Sequence, residues 1–103
     1  MATTGRGGIM APPNRCRIKG TLVSIESSPA FPNKQELRFA LLESQALEGP
    51  DMAHARIGTT VEGFTFESLS GLHQDDVFLA EAEYIGDARR GLFQLSRLRP
   101  ASD

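Results

Sequence analysis

The chain has 103 residues, of which 40% are hydrophobic and 23% charged, values that are ordinary for a globular domain. This length supports one domain with its own core and is too short for two. The longest apolar stretches are only a few residues, which excludes a membrane-spanning helix of roughly 20 residues. Because the first 14 residues contain no apolar run typical of a secretory signal, we expect a cytoplasmic protein.

The formal net charge of −2 hides an uneven distribution of charge along the chain. Residues 1–40 carry six basic and two acidic side chains, whereas residues 41–88 carry one arginine and ten acidic side chains. Residues 89–103 are basic again, with four arginines and one aspartate. Both ends of the chain are therefore basic and its middle is acidic, so the overall charge does not exclude a local basic surface.

Residues 1–14 are rich in Gly, Pro, Thr and Ala and show no periodicity, which predicts a flexible N-terminal tail. A folded domain is expected over residues 15–99, followed by a short C-terminal tail at residues 100–103. The tail at the N-terminus is thus the part of the chain with the least to bury.

The first predicted strand follows this tail and alternates between polar and apolar residues. Cys16 and Ile18 share its inward face, whereas Arg17 and Lys19 share its outward face. After Gly20 the alternation slips by one residue, which predicts a bulge or a bend. Since Cys16 is the only cysteine, it forms no intrachain disulfide, and we expect a small apolar core residue.

Four further strands are predicted over residues 36–42, 56–66, 77–84 and 92–98. Residues 44–55 form a loop with a Gly-Pro-Asp turn, where a short helical turn is an alternative. The third strand changes face at Gly63, which predicts a second bend. Residues 67–72 are too few for an independent helix and predict one helical turn that closes the end of a barrel.

This order, three strands, a helical turn and two strands, resembles the oligonucleotide/oligosaccharide-binding (OB) fold. Residues 72–77 are similar to the L-x-x-G-D-x-V turn that leads into the fourth strand, with Asp75 where glycine is usual. Aspartate tolerates a left-handed backbone better than most residues, so the turn is retained. The resemblance implies an all-β, five-stranded Greek-key OB-fold barrel, similar to small bacterial single-stranded-DNA-binding and primosomal replication proteins.

The resemblance also implies a binding surface on the outer faces of strands two and three, flanked by the loops between strands one and two and between strands four and five. Single-strand binding needs cations for phosphates and aromatic faces for bases. The residues that match this surface are Phe31, Lys34, Arg38, Phe64, Phe66, Arg89 and Arg90. The expected partner is single-stranded DNA or RNA, bound by a monomer or a homodimer.

Structural interpretations of the same residues stay open. Phe64 and Phe66 also fit as core residues, Phe31 as a cap of the barrel, and the Arg89-Arg90 pair as a solvated hairpin tip. A different functional class, a protein-interaction or assembly module, would use the acidic loop at residues 43–51 and the glutamates of strand four. An oligosaccharide-binding barrel is a third alternative, weakened by the absence of tryptophan.

No catalytic motif is present in the sequence. A glycine-rich phosphate loop, a G-x-S-x-G elbow and a dinucleotide fingerprint are all missing. The two histidines, His54 and His73, have no cysteine or histidine neighbours at zinc-ligand spacing. We therefore expect a protein that is not an enzyme and that has no metal site and no cofactor.

Overall fold

The structure is a computed structural model that describes residues 12–69, 71–86 and 91–101. Most of the expected N-terminal tail lies outside these residues. The described residues form five strands and one 3₁₀ turn: β1 (Arg15–Ser27), β2 (Gln35–Glu48), the 3₁₀ turn (His54–Arg56), β3 (Thr60–Thr65), β4 (Val77–Gly86) and β5 (Gly91–Pro100).

The strands close into a barrel in the order β1-β2-β3-β5-β4, with β4 returning to β1. Neighbouring strands are antiparallel except β3 and β5, which pair in parallel through Gly63 with Phe93 and Phe64 with Gln94. This confirms the predicted all-β, five-stranded barrel. Its strand order is compatible with an OB-like fold.

The predicted irregularity in the first strand is confirmed. The pairing of β1 with β2 shifts register between Leu22 and Ser24, where Val23 is bulged out of the ladder. A Cβ atom at Gly20 would lie 3.0 Å from the Phe39 ring, so glycine allows β1 to curve closely over the core. Residues 16–21 of β1 pair with β2 along one edge and with β4 along the other.

Strand β2 is longer than the sequence pattern indicates. The alternation predicts an end at residue 42 and a loop at 44–55, whereas β2 continues to Glu48. The reason is a second register shift, since Lys19 pairs with Glu43 while Gly20 pairs with Leu41. This bulge at Leu42 breaks the alternation, and the polar residues after it pair with the first half of β1.

The predicted bend of the third strand at Gly63 is wrong, and so is its start at residue 56. Strand β3 begins at Thr60 and keeps one alternation, with Gly63 and Thr65 buried and Glu62 and Phe64 on the outer face. A Cβ atom at Gly63 would lie 2.8 Å from the carbonyl oxygen of Phe93. Glycine at this position therefore serves the close approach of β3 to β5 instead of a change of face.

The helical turn predicted between strands three and four is also misplaced. The described residues between β3 and β4 are bends and turns, and the 3₁₀ turn lies between β2 and β3. The Glu67 carboxylate accepts hydrogen bonds from the backbone N–H groups of Arg97 and Leu98, which ties this segment to β5. The Asp51 carboxylate, in turn, accepts the Ala53 N–H at the start of the 3₁₀ turn.

No helix in the described ranges is long and apolar enough to cross a membrane.

The turn into β4 has the predicted conformation. Asp75 has a φ of 74°, which lies in the left-handed region. This conformation is the one expected for the position that glycine usually occupies in the L-x-x-G-D-x-V turn. Its backbone N–H donates to the Leu22 carbonyl at 2.7 Å, while the Leu22 N–H donates to the Asp76 carbonyl at 2.9 Å. The turn is thereby fixed to the bulged part of β1.

The core lies inside the barrel and consists of the inward residues of all five strands. Phe39 and Phe78 are fully buried and meet edge to face, with ring centroids 5.5 Å apart. Cys16 is buried, as predicted, and burial raises the pKa of its thiol to about 11, with the nearby Asp51 carboxylate adding to the shift. The thiol therefore stays protonated at neutral pH, which is unsuited to nucleophilic chemistry.

The ordered barrel extends slightly beyond the expected domain limits. Asn14, assigned to the tail from sequence, is buried, and its side-chain amide donates to the Tyr84 carbonyl and accepts from the Tyr84 N–H. At the other end, Pro100 closes β5 and the Ala101 N–H donates to the Val77 carbonyl. Asn14 thus extends the ladder next to the first residue of β1.

Replacing Asn14 with alanine is expected to lower the free energy of unfolding by about 2 kcal/mol, because it leaves a buried N–H and a buried C=O of Tyr84 without partners. Urea denaturation followed by circular dichroism measures this. The exposed Asn33 in the loop after β1 is the matched control, and Asn33→Ala should cost less than about 0.5 kcal/mol. Equal stability of the two variants would contradict the role given to Asn14.

Candidate functional site

The outer face of β2 and β3 carries an open groove of about 310 Å³. Strand alternation turns Glu36 and Arg38 of β2 and Glu62 and Phe64 of β3 toward it. The end of β1 and the start of β5 supply its two edges. The groove is lined by Ser24, Glu26, Lys34, Glu36, Leu37, Arg38, Glu62, Gly63, Phe64 and Leu92.

Three phenylalanines and one lysine form a cluster at one end of this groove, which we call the aromatic cluster (Phe31, Lys34, Phe64 and Phe66). The Lys34 ammonium lies 4.6 Å from the centroid of Phe64 and 5.4 Å from that of Phe31. Phe64 and Phe66 meet edge to face at 5.7 Å. Since Phe31 is 57% and Phe66 54% exposed, these rings are surface groups.

The loop between β1 and β2 holds its part of the aromatic cluster in a tight turn. The Lys34 N–H donates to the Phe31 carbonyl at 2.9 Å, and the Ser28 N–H donates to the Lys34 carbonyl at 2.9 Å. Ser28 is itself buried, so the base of the loop is fixed against the barrel. The structure therefore brings together four of the seven predicted site residues.

Arg38, the fifth, lies on the same face next to Glu62, with which it pairs across β2 and β3. Its side chain has no ion-pair partner within 4 Å in the described part of the chain. The groove also contains Glu26 and Glu36, which face each other across β1 and β2. Two basic side chains, Lys34 and Arg38, and three glutamates line this part of the groove, so it is not basic. The distribution of charge along the sequence, with its basic first 40 residues, suggests a more basic surface here.

A second open pocket, of about 530 Å³, continues the groove beyond Glu62 and Leu92, which line both. Among the described residues, Arg56 supplies the positive charge of this pocket. Its guanidinium lies 4.7 Å from the centroid of the Tyr84 ring and donates a hydrogen bond to the Tyr84 hydroxyl at 3.2 Å. It also donates to the Met52 carbonyl at 2.9 Å. Sequence reasoning missed Arg56, although it is the single basic residue of positions 41–88.

The last two predicted site residues, Arg89 and Arg90, lie outside the described residues. The strands that lead to them end at Gly86 and begin again at Gly91, and both glycines line the second pocket. Arg56 thus adds one cation, so the combined groove holds three basic and three acidic side chains among the described residues.

Much of the acidic middle of the sequence is engaged within the molecule. Glu43 lies 4.0 Å from Lys19, and Glu48 3.8 Å from Arg15. Four more acidic residues of this stretch have partners, which are arginine, histidine, hydroxyl or backbone N–H groups. These residues are Asp51, Glu67, Asp76 and Glu81. The acidic surface expected at residues 43–51 and on strand four is therefore partly neutralised.

Comparison of the chain with protein-family models, with curated proteins and with solved structures finds no match. The strand order, the groove and the aromatic cluster are therefore the features of the chain that bear on its function.

Proposed function

We propose that this barrel is a non-catalytic module that binds single-stranded nucleic acid along the outer face of β2 and β3. The observation that carries the proposal is the aromatic cluster, in which a lysine lies over the rings of Phe31 and Phe64, with the exposed Phe66 ring next to Phe64, at an open groove. A single strand exposes the faces of its bases and a chain of phosphates. Aromatic rings bind the bases by stacking, and a cation next to them binds the phosphates.

Base stacking supplies most of the binding energy in this proposal. Phe31 and Phe66 are more than half exposed and the half-buried Phe64 lines the groove, so all three rings gain from covering their accessible apolar faces with bases. Stacking of one base on an aromatic side chain contributes about 1 to 3 kcal/mol and tolerates any base. The proposal therefore includes weak sequence preference and a preference for single strands, whose bases are free to leave the stack.

Phosphate contacts are the smaller contribution. Lys34, Arg38 and Arg56 are placed to meet a backbone, but three glutamates line the same surface. Arg89 and Arg90 follow β4 in the sequence and would add to the cations. We therefore expect a modest dependence of affinity on salt, below that of a uniformly basic channel.

The rival proposal, a protein-interaction module that uses the acidic side of the barrel, has less support. Its acidic residues contact Lys19, Arg15 and Arg97 and so present less free charge to a basic partner. A pull-down that recovers stable protein partners after nuclease treatment, together with no binding of oligonucleotides, would favour this rival.

Fluorescence anisotropy with labelled dT and rU oligomers tests the proposed function, with a duplex of the same length as comparison. We expect saturable binding of both single strands at micromolar protein and weaker binding of the duplex. Raising the salt concentration should reduce the affinity moderately. Absence of binding to either single strand at low salt would refute the proposal.

A further inference from the structure

Strand β5 contains a bulge at an arginine. The pairing with β4 skips from Leu79 with Arg99 to Glu81 with Ser96, and Arg97 adopts a positive φ of 54°. This left-handed conformation is unfavourable for any residue with a Cβ atom, and glycine is the usual choice. An arginine kept in this conformation suggests a use for its side chain.

The bulge changes which residues face outward. Phe93 and Leu95 point into the core, so unbroken alternation would place Arg97 inward and Leu98 outward. Instead Leu98 packs against the core and the Arg97 side chain is 77% exposed. Arg99 is exposed as well, so the bulge gives β5 two outward arginines within three residues.

A carboxylate from another part of the barrel fixes this arrangement. Glu67, in the segment after β3, accepts the N–H of Arg97 at 2.9 Å and the N–H of Leu98 at 3.2 Å. Both bulge residues therefore have their donors satisfied, and the direction of the Arg97 side chain is set by backbone hydrogen bonds.

The outward arginines border a cleft of about 130 Å³ on the outer face of β1, β4 and β5. Its lining consists of Arg17, Leu79, Ala80, Glu81, Arg97 and Arg99. Since β4 separates β1 from β5 in the barrel, this cleft faces away from the groove on β2 and β3.

The charges around the cleft are unbalanced. Glu81 is the central carboxylate, 2.9 Å from an Arg15 nitrogen and 3.7 Å from an Arg97 nitrogen. Arg17 makes one long hydrogen bond, 3.5 Å, to the Gln45 side chain, and Arg99 has no ionic partner among the residues that the structure describes. Within the lining, three arginines thus stand against one glutamate, a net charge of +2.

We propose that this cleft is an oxyanion site that binds a phosphate group between Arg17, Arg97 and Arg99. Guanidinium groups match phosphate oxygens through paired N–H donors, and they are less strongly hydrated than a lysine ammonium. Glu81 positions Arg97 and leaves the other two guanidinium groups free for the anion. The proposal does not rest on nucleic-acid binding by the groove.

The test is a ¹H–¹⁵N NMR titration of the whole chain with inorganic phosphate, with pyrophosphate and with a short dT oligomer, each against chloride at equal ionic strength. We expect saturable shifts at residues 17, 79–81 and 96–99 with at least one phosphate-bearing probe. Shifts with the inorganic anions identify a free phosphate ligand, and shifts with the oligomer alone identify a nucleic-acid backbone. Chloride that reproduces all the shifts would overturn the proposal.

The variants are Arg97→Gly, which suits the bulge conformation, and Arg17→Gln combined with Arg99→Gln on the exposed surface. Each should weaken phosphate binding at this cleft at least tenfold, whereas Lys19→Gln, which removes a cation of β1 outside the linings of the cleft and the groove, should not. Unchanged affinity in both variants, with folding verified by circular dichroism, would overturn the proposal. Oligomer shifts limited to the groove would refute this site while supporting the proposed function.

Discussion

Replacement of Gly63 by valine is expected to lower the free energy of unfolding by about 3 kcal/mol, or to prevent folding. An added Cβ would meet the Phe93 carbonyl oxygen at 2.8 Å and the Phe39 ring at 3.2 Å. The backbone of Phe93 cannot yield without loss of the parallel pairing of β3 with β5, which consists of two residue pairs and closes the barrel. The effect should therefore reach the whole fold.

Urea denaturation of Gly63→Val measures this effect, with Gly58→Ala as the control. Gly58 has a φ of +93° but no atom within 4 Å of an added Cβ, so its substitution tests backbone strain alone and should cost about 1 kcal/mol. A Gly63→Val variant as stable as the unmodified protein would show that β3 and β5 do not approach each other as described.

Combined substitution of Phe31 and Phe64 by alanine is expected to weaken single-strand binding about 30-fold or more. Two lost stacking contacts correspond to at least about 2 kcal/mol, and the Lys34 ammonium loses both rings between which it is held. Phe31 is exposed and Phe64 half-buried, so the barrel should stay folded.

The control for this double variant is Leu47→Ala, which removes an exposed apolar side chain from β2 outside the groove. Anisotropy with the same dT oligomer should give unmodified affinity for the control. Equal affinities for the double variant and the control would place the binding surface elsewhere on the barrel.

The sequence predicts those features of the fold that depend on local alternation and turn residues. Buried Phe78 and Ala80 in β4, the slip at Val23 and the left-handed Asp75 all follow from local patterns, and all are present. The features it does not predict depend on partners distant in the chain. The conformation of Arg97 is supported by Glu67, 30 residues away, and no local pattern indicates that contact.

The same distinction applies to the candidate site. Phe31, Lys34 and Arg38 lie at or beside the groove because the OB-like strand order places their loop and strand there, and their role in binding stays a prediction. Arg56 was missed since its role depends on Tyr84, a distant residue. The glutamates of the groove were underestimated because cross-strand pairing, such as Glu26 with Glu36, is not visible in a linear charge count.

The central claim is that the groove on β2 and β3 binds single-stranded nucleic acid, and NMR chemical-shift mapping during a titration with a dT oligomer tests it most directly. The largest shifts are predicted at Phe31, Lys34, Arg38 and Phe64, with smaller ones at Arg56. A titration that leaves these amides unchanged at saturating oligomer would contradict the claim.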